Sequence, residues 1–264
     1  SFGAEFSKLH GSEKDLTPNF DAYAAKSLWF PRTYASGTRT VRGLEALSTS
    51  FPPIPTVSIL RRPGNENIAG WGAVMRSLGY ETSFLYGGYG YFDNMNYFFG
   101  HNGFDVLDRG AISTVRFENI WGVSDEDLFD LSLKHFDSLH AKGKPFFSIV
   151  MTTSNHKPFT FRKGLEHLGI PEKGGGRHAG VKYADYALGY FLQEAAKHPW
   201  FDNTLFVVVA DHGARVYGKT EIPLRTYEIP LLIHAPKHLQ PARIDTLMTQ
   251  IDIAPTVLGL LGLP

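Results

Sequence analysis

Cysteine is missing from the whole chain of 264 residues. Its absence excludes disulfides, thiolate metal sites and a cysteine nucleophile, and it is compatible with any redox compartment. An excess of charge of either sign is missing too, with 26 basic residues against 26 acidic ones. Nothing therefore points to nucleic acid as a partner, nor to a strongly anionic surface. No apolar run is long enough to span a bilayer, and no signal-peptide pattern starts at Ser1. Internal repeats, low-complexity tracts and domain linkers are equally lacking. What is present is apolar material for a full core, 43% of the residues. A single domain over residues 1–264 is the expectation. The first residue is not Met, so the chain is expected to be a piece of a longer protein.

The stretch Leu205-Phe-Val-Val-Val-Ala-Asp-His-Gly213 organises the rest. Its valine-rich run reads as a strand buried on both faces. It ends in an oxygen donor, Asp211, beside a nitrogen donor, His212. Ligands in open α/β sheets bind beyond the carboxyl ends of strands. A solvated turn explains the same three residues about as well, since Asp and Gly are ordinary turn formers.

Around it, strands and helices alternate. Thr17 and Pro18 start a helix carrying Phe20, Tyr23, Ala24 and Leu28 at helical spacing. Residues 29–34 read as extended. A small-residue loop over 35–43 leads into a helix with Leu44 and Leu47. The prolines of 51–56 forbid regular structure. Residues 68–79 read as a helix and 81–86 as a strand. Residues 87–99 are rich in glycine and aromatics, and a short helix is expected before Asp108. Helices follow over 125–141, capped by Ser124, over 181–197 and over 251–261. Further strands fall at 145–152 and 229–234. Alternation of this kind predicts an α/β fold with a mostly parallel central sheet flanked by helices.

Three loops at expected strand ends carry polar groups suited to chemistry. One holds Thr38 and Thr40. A hydroxyl is a poor nucleophile at neutral pH, and metal coordination is one way to activate it; capping of the next helix is the plainer role. The second holds Asn155 and His156, where a lone loop histidine is more often a surface residue. The third is Asp211-His212. Each is weak alone, and the three in order on one sheet are stronger.

The residues Gly37-Thr-Arg-Thr40, Thr153-Ser-Asn-His-Lys-Pro-Phe159, Tyr183-Ala-Asp-Tyr186, Ala210-Asp-His-Gly213 and Ile251-Asp-Ile-Ala-Pro-Thr256 carry a resemblance. Together they resemble the lipoteichoic acid synthase and phosphoglycerol transferase branch of the sulfatase and alkaline-phosphatase superfamily. The resemblance implies that fold, a metal-dependent phosphotransferase activity and a site outside the cytoplasmic membrane. It implies Thr40 as nucleophile and metal ligand, with Thr38 as second choice, and Asp211 and His212 as further ligands. His156 would contact the transferred phosphoryl group, flanked by Asn155 and Lys157 as substrate contacts.

The family's remaining ligand, a glutamate, would stand immediately before Ser1. Its first strand and membrane-spanning helices would also lie upstream. Glu5 and Glu45 do not stand in the matching place and are read as surface or loop residues. The implied cofactor is one divalent ion: Mn²⁺ or Mg²⁺ suits a carboxylate and hydroxyl site, while the histidine also permits Zn²⁺. The implied partners are a phospholipid head group and a glycan or glycolipid acceptor. The tryptophan and arginine that grip glycerol phosphate in the Gram-positive synthases of that branch have no clear counterpart in residues 87–96, where Tyr91 and Phe92 lie instead. Two other readings remain open, a phosphodiesterase- or sulfatase-type hydrolase and a catalytically silent lipid-sensing domain. Threonine cannot give the formylglycine aldehyde of sulfatases, which argues against the sulfatase variant.

Overall fold

A computed structural model describes residues 2–214 and 222–263. In chain order the helices are α1 (Pro18–Ala24), α2 (Thr40–Thr49), α3 (Trp71–Ser77), α4 (Met95–His101), α5 (Asp125–Ala141), α6 (Gly176–Ala195) and α7 (Ile253–Leu260). The strands are β1 (Leu28–Trp29), β2 (Thr33–Tyr34), β3 (Glu81–Tyr86), β4 (Asp105–Leu107), β5 (Glu118–Asn119), β6 (Gly122–Val123) and β7 (Phe146–Met151). They continue with β8 (Phe206–Val209), β9 (Leu231–His234), β10 (Ala242–Arg243) and β11 (Met248–Thr249). The chain divides into two compact units, one formed by Ser1–Pro63 with Asp202–Pro264 and the other by Gly64–Phe201.

In the first unit the sheet order is β10-β1-β9-β8. Here β8 and β9 pair antiparallel, from Phe206 against His234 to Val209 against Leu231. The described part of their connection holds no α-helix, only the 3₁₀ turn Leu224–Thr226. A parallel return is usually carried by a crossover helix. Strand β9 has a partner on each side and all four of its residues are buried. Strand β8 lies at the edge of this sheet, and Val207, Val208 and Val209 are only half-buried. The sequence expectation of burial on both faces is corrected accordingly.

A separate parallel pair, β11 with β2, sets Met248 against Thr33 and Thr249 against Tyr34. Below the ends of these strands, Ala35, Ala210 and Ile229 form a small core with Phe2 and Val209 against it.

The three-stranded sheet of the second unit follows the parallel rule. Strand β3 lies between β4 and β7, parallel to both, with Glu81 opposite Phe146 and Tyr86 opposite Met151. Helix α5 begins as expected at Ser124, whose Oγ accepts from the Asp127 amide. It packs on α6 through stacked Phe129 and Phe191, ring centroids 4.6 Å apart.

A polar network also ties α5 to α6. Glu126 is buried, accepts from Arg162 Nε and Nη2 at 2.9 Å each, and accepts from Tyr183 Oη at 2.9 Å. Burial pushes the Glu126 carboxyl up, but Arg162 and Tyr183 reverse this and hold it below its ordinary range. Its contribution to stability is therefore present above the ordinary carboxyl pKa and is lost as pH falls through the depressed folded value. Arg162→Met strands a buried carboxylate, and a loss of about 3–5 kcal/mol is expected in urea denaturation at pH 7. Adding Glu126→Gln to that variant should recover part of the loss.

Candidate active site

Thr40 is the first residue of α2, after an extended Arg39 that offers no side-chain cap. The leading amides of a helix lack intrahelical partners and make its N-terminus electropositive. Thr40 Oγ1 donates to Asp211 Oδ2 at 2.6 Å. The expected loop is therefore shorter than the sequence suggests, and residues 40–43 already form the first helical turn. Thr38 is exposed, two residues ahead.

The contact depends on close approach of helix to strand end. A Cβ on Gly43 would lie 1.9 Å from the Asp211 carbonyl oxygen, so only glycine lets α2 come this near. Glu45, one turn further on, is buried rather than on the surface or in a loop. It pairs with Arg42 at 3.0 Å and accepts from the Ile59 amide at 3.2 Å. Glu5 lies partly buried in a 3₁₀ turn.

Asp211 and His212 follow β8 directly. The Asp211 carboxyl is buried, which by itself would raise its pKa. The charge of His212 and the Thr40 hydrogen bond act against that rise. His212 Nδ1 lies 2.8 Å from the Gly213 carbonyl oxygen and so donates to it. In the neutral ring this leaves Nε2 as the acceptor nitrogen, 3.5 Å from Asp211 Oδ2. A histidine whose second nitrogen is anchored to a carbonyl has the usual arrangement of a metal-binding imidazole.

Among the described residues no three His, Cys, Asp or Glu side chains cluster as a metal site. The hydroxyl of Thr40 makes the third donor. One carboxylate oxygen, one imidazole nitrogen and one hydroxyl fit a divalent cation of the Mg²⁺, Mn²⁺ or Zn²⁺ kind.

Gln250 holds this arrangement together, and nothing in the sequence singles it out. It is fully buried. Its Nε2 donates to the carbonyls of Ala210 (2.9 Å) and Asp211 (2.7 Å), and its Oε1 accepts from the Ser36 amide at 2.9 Å. One side chain thus joins the strand end bearing Asp211 to the loop leading to Thr40. The β11–β2 pairing brings it there, since Gln250 follows β11 and Ser36 lies just beyond β2. Gln250→Leu keeps most of the volume and leaves two buried carbonyls and the half-buried Ser36 amide without that partner. A stability loss of about 2–4 kcal/mol is expected by chemical denaturation.

Asn155, His156 and Lys157 stand on one loop of the second unit. Its base is clamped by Asp125, whose Oδ1 accepts from the amides of Thr153 (3.0 Å) and Ser154 (2.9 Å). Burial pushes the Asp125 carboxyl upward. The Asn155 side chain is buried against Gly180, and its Oδ1 accepts from Arg177 at 3.4 Å. His156 is half-buried, with its ring centroid 4.5 Å from that of Trp121. Trp121 Nε1 donates to the Lys157 carbonyl, and Lys157 itself is exposed. Tyr91 and Phe92 are exposed, and Phe92 meets Trp121 edge-on at 5.9 Å. Asp125 and Trp121 are further residues without a sequence signal for this role. Asp125 reads there only as the start of a helix.

The structure thus brings Thr40, Asp211 and His212 together in the first unit, and groups Asn155, His156 and Lys157 in the second. The chain matches the family model described as Sulfatase over residues 1–263. It is 25% identical over 236 residues to lipoteichoic acid synthase 2 of Bacillus subtilis, covering 82% of this chain and 36% of that protein. It is 26% identical over 220 residues to phosphoglycerol transferase I of Escherichia fergusonii, covering 76% and 28%. The chain therefore spans about a third of the length of these relatives.

Among solved structures, a protein of the alkaline phosphatase superfamily from Vibrio parahaemolyticus is 39% identical, with a TM-score of 0.92 over 100% of this chain and 64% of that one. The lipoteichoic acid synthase LtaP from Listeria monocytogenes, 21% identical, has a TM-score of 0.85 over 100% and 70%, and shows the fold. With its α/β architecture and parallel strands flanked by helices, and with the family model matched from end to end, the chain belongs to the sulfatase family.

Proposed function

We propose that this domain is a phosphoglycerol transferase. It moves a phosphoglycerol or related head group from a phospholipid to a glycan or glycolipid hydroxyl through a phosphothreonine at Thr40. The observation that carries this is the hydroxyl of Thr40 at a helix N-terminus, hydrogen-bonded at 2.6 Å to the buried carboxylate of Asp211. The names of the two curated relatives support the transferred group.

Thr40 Oγ1 attacks phosphorus, the bond from phosphorus to the diacylglycerol oxygen breaks, and diacylglycerol leaves with a proton. The acceptor hydroxyl then displaces Thr40, loses its proton and carries the phosphoglycerol away. Asp211 orients the Thr40 hydroxyl, and the N-terminus of α2 favours the phosphoryl oxygens. His156 moves protons on the leaving and accepting hydroxyls, with Asn155 and Lys157 shaping its loop. Thr40, Asp211 and His212 would hold one divalent cation, Mn²⁺ or Mg²⁺ by the oxygen donors and Zn²⁺ by the imidazole. When bound, it supplies charge that neutralises phosphoryl oxygens and eases loss of the threonine proton. The working place is the outer face of a bacterial cytoplasmic membrane, reached through helices elsewhere in a longer protein.

Head-group-labelled phosphatidylglycerol separates this reading from its rivals. Label should pass to an added glycan acceptor in a metal-dependent reaction that releases diacylglycerol. Release of free glycerol phosphate at the same rate with and without acceptor would make the domain a phosphodiesterase. No turnover with any metal would leave a silent lipid sensor.

A further inference from the structure

Residues 51–57 read Phe-Pro-Pro-Ile-Pro-Thr-Val and hold Phe51, Ile54 and Val57 in water at 43%, 51% and 49% exposure. Single exposed apolar residues are ordinary, but three within seven residues on a loop that cannot fold regularly are not. The loop is firmly held. Arg42 Nη2 donates to the Thr56 carbonyl, Arg62 Nε to the Val57 carbonyl at 2.6 Å, and Arg62 Nη2 to the Pro55 carbonyl at 3.4 Å. Ser58 Oγ donates to the Val41 carbonyl at 3.1 Å. Arg42 and Val41 belong to the first turn of α2. The loop leaves the far end of that helix and is pinned back beside the turn that begins with Thr40.

The charge here is one-sided. Residues 39–62 carry Arg39, Arg42, Arg61 and Arg62 against a single acid, Glu45. An apolar tip rimmed by cations suits the interface of an anionic bilayer. The position fits as well. The phosphorus that Thr40 attacks is joined to a lipid, so acyl chains must begin within a few bonds of the first turn of α2. In that respect the inference rests on the proposed function.

We infer that residues 51–57 dock this domain directly on an anionic phospholipid surface. Phe51, Ile54 and Val57 enter the head-group region and the exposed Arg39 and Arg61 meet lipid phosphates.

Co-sedimentation of the 264-residue chain with vesicles tests it, using phosphatidylcholine alone or mixed with phosphatidylglycerol. The chain should bind the mixed vesicles, more weakly as salt rises. The triple variant Phe51→Ser, Ile54→Ser, Val57→Ser should bind at least tenfold more weakly while keeping the circular dichroism of the parent. If the triple variant fails to fold, Ile54→Ser alone should weaken binding about threefold. Equal binding by parent and variant overturns the inference, as does no binding by the parent. A parent dimer that the variant breaks to monomers, without vesicle binding, assigns the loop to a second copy and also overturns it.

A soluble short-chain phosphatidylglycerol keeps the two ideas apart. The triple variant should turn it over like the parent, because the loop acts only at a surface. No turnover by either protein, with vesicle binding still lost in the variant, would sink the proposed function and leave the docking surface standing.

Discussion

Thr40→Ala is expected to abolish phosphoglycerol transfer, lowering kcat by at least about a thousandfold, the scale seen when a covalent nucleophile is removed. The change deletes a hydroxyl and a methyl group at a helix N-terminus, so the fold should survive it. It also removes the hydrogen bond to Asp211 Oδ2, a charge-assisted bond at 2.6 Å. Thr40→Ser keeps the hydroxyl and should retain measurable turnover. Thr38→Ala, which changes an exposed side chain, should stay near the parent. His156→Ala should impair kcat while leaving metal affinity measured by calorimetric titration largely intact, because Asp211, His212 and Thr40 are untouched. Activity near the parent value in Thr40→Ala would remove the covalent mechanism.

Gly43→Ala should be nearly as damaging, for a different reason. In most exposed helical positions this change stabilises by about 0.5–1 kcal/mol, through helix propensity. Here the new Cβ would lie 1.9 Å from the Asp211 oxygen and 2.7 Å from its carbonyl carbon, both backbone atoms that cannot rotate away. Helix α2 must retreat by roughly 1 Å, which costs about 1–3 kcal/mol as overpacking does elsewhere. The same shift carries Thr40 away from Asp211. A misplacement of that size is worth about a hundredfold in rate. Thermal denaturation and steady-state kinetics would show both effects together. Gly259→Ala, where a Cβ on α7 meets nothing within 4 Å, serves as the control and should be neutral or slightly stabilising.

The fold was legible wherever hydrophobic period and chain punctuation agreed. The strand at 81–86 and the helix at 125–141 with its Ser124 cap match β3 and α5 residue for residue. Leu28 went astray because its spacing continues the apolar stripe of α1. The helix instead ends at Ala24, and Leu28 pairs with Ile233 across the sheet. Glu45, expected on the surface or in a loop because it does not stand in the matching place of the family's ligand, is buried instead. Its burial depends on Arg42 and the Ile59 amide, and the 14-residue separation of that amide is set by the path of the loop.

At the site, Asp211, His212 and Thr40 were legible because their side chains have chemistry of their own. Gln250 and Gly43 were not. Their importance lies in which backbone they touch, and that is decided by strand pairing and helix approach. The arrangement within β8 and β9 was hidden for the same reason, since a valine-rich run reads alike in parallel and antiparallel pairs.

The proposed mechanism requires a phosphoryl group to rest on one oxygen, Thr40 Oγ1. The direct measurement is to incubate the domain, or the longer protein bearing it, with phosphatidylglycerol and Mn²⁺ without acceptor, quench in acid, and map the digested peptides by mass spectrometry. The predicted result is a mass increment of one phosphoglycerol on Thr40, lost on adding acceptor and absent from Thr40→Ala. Turnover of the lipid with Thr40 unmodified, or with the increment on another residue, would contradict it.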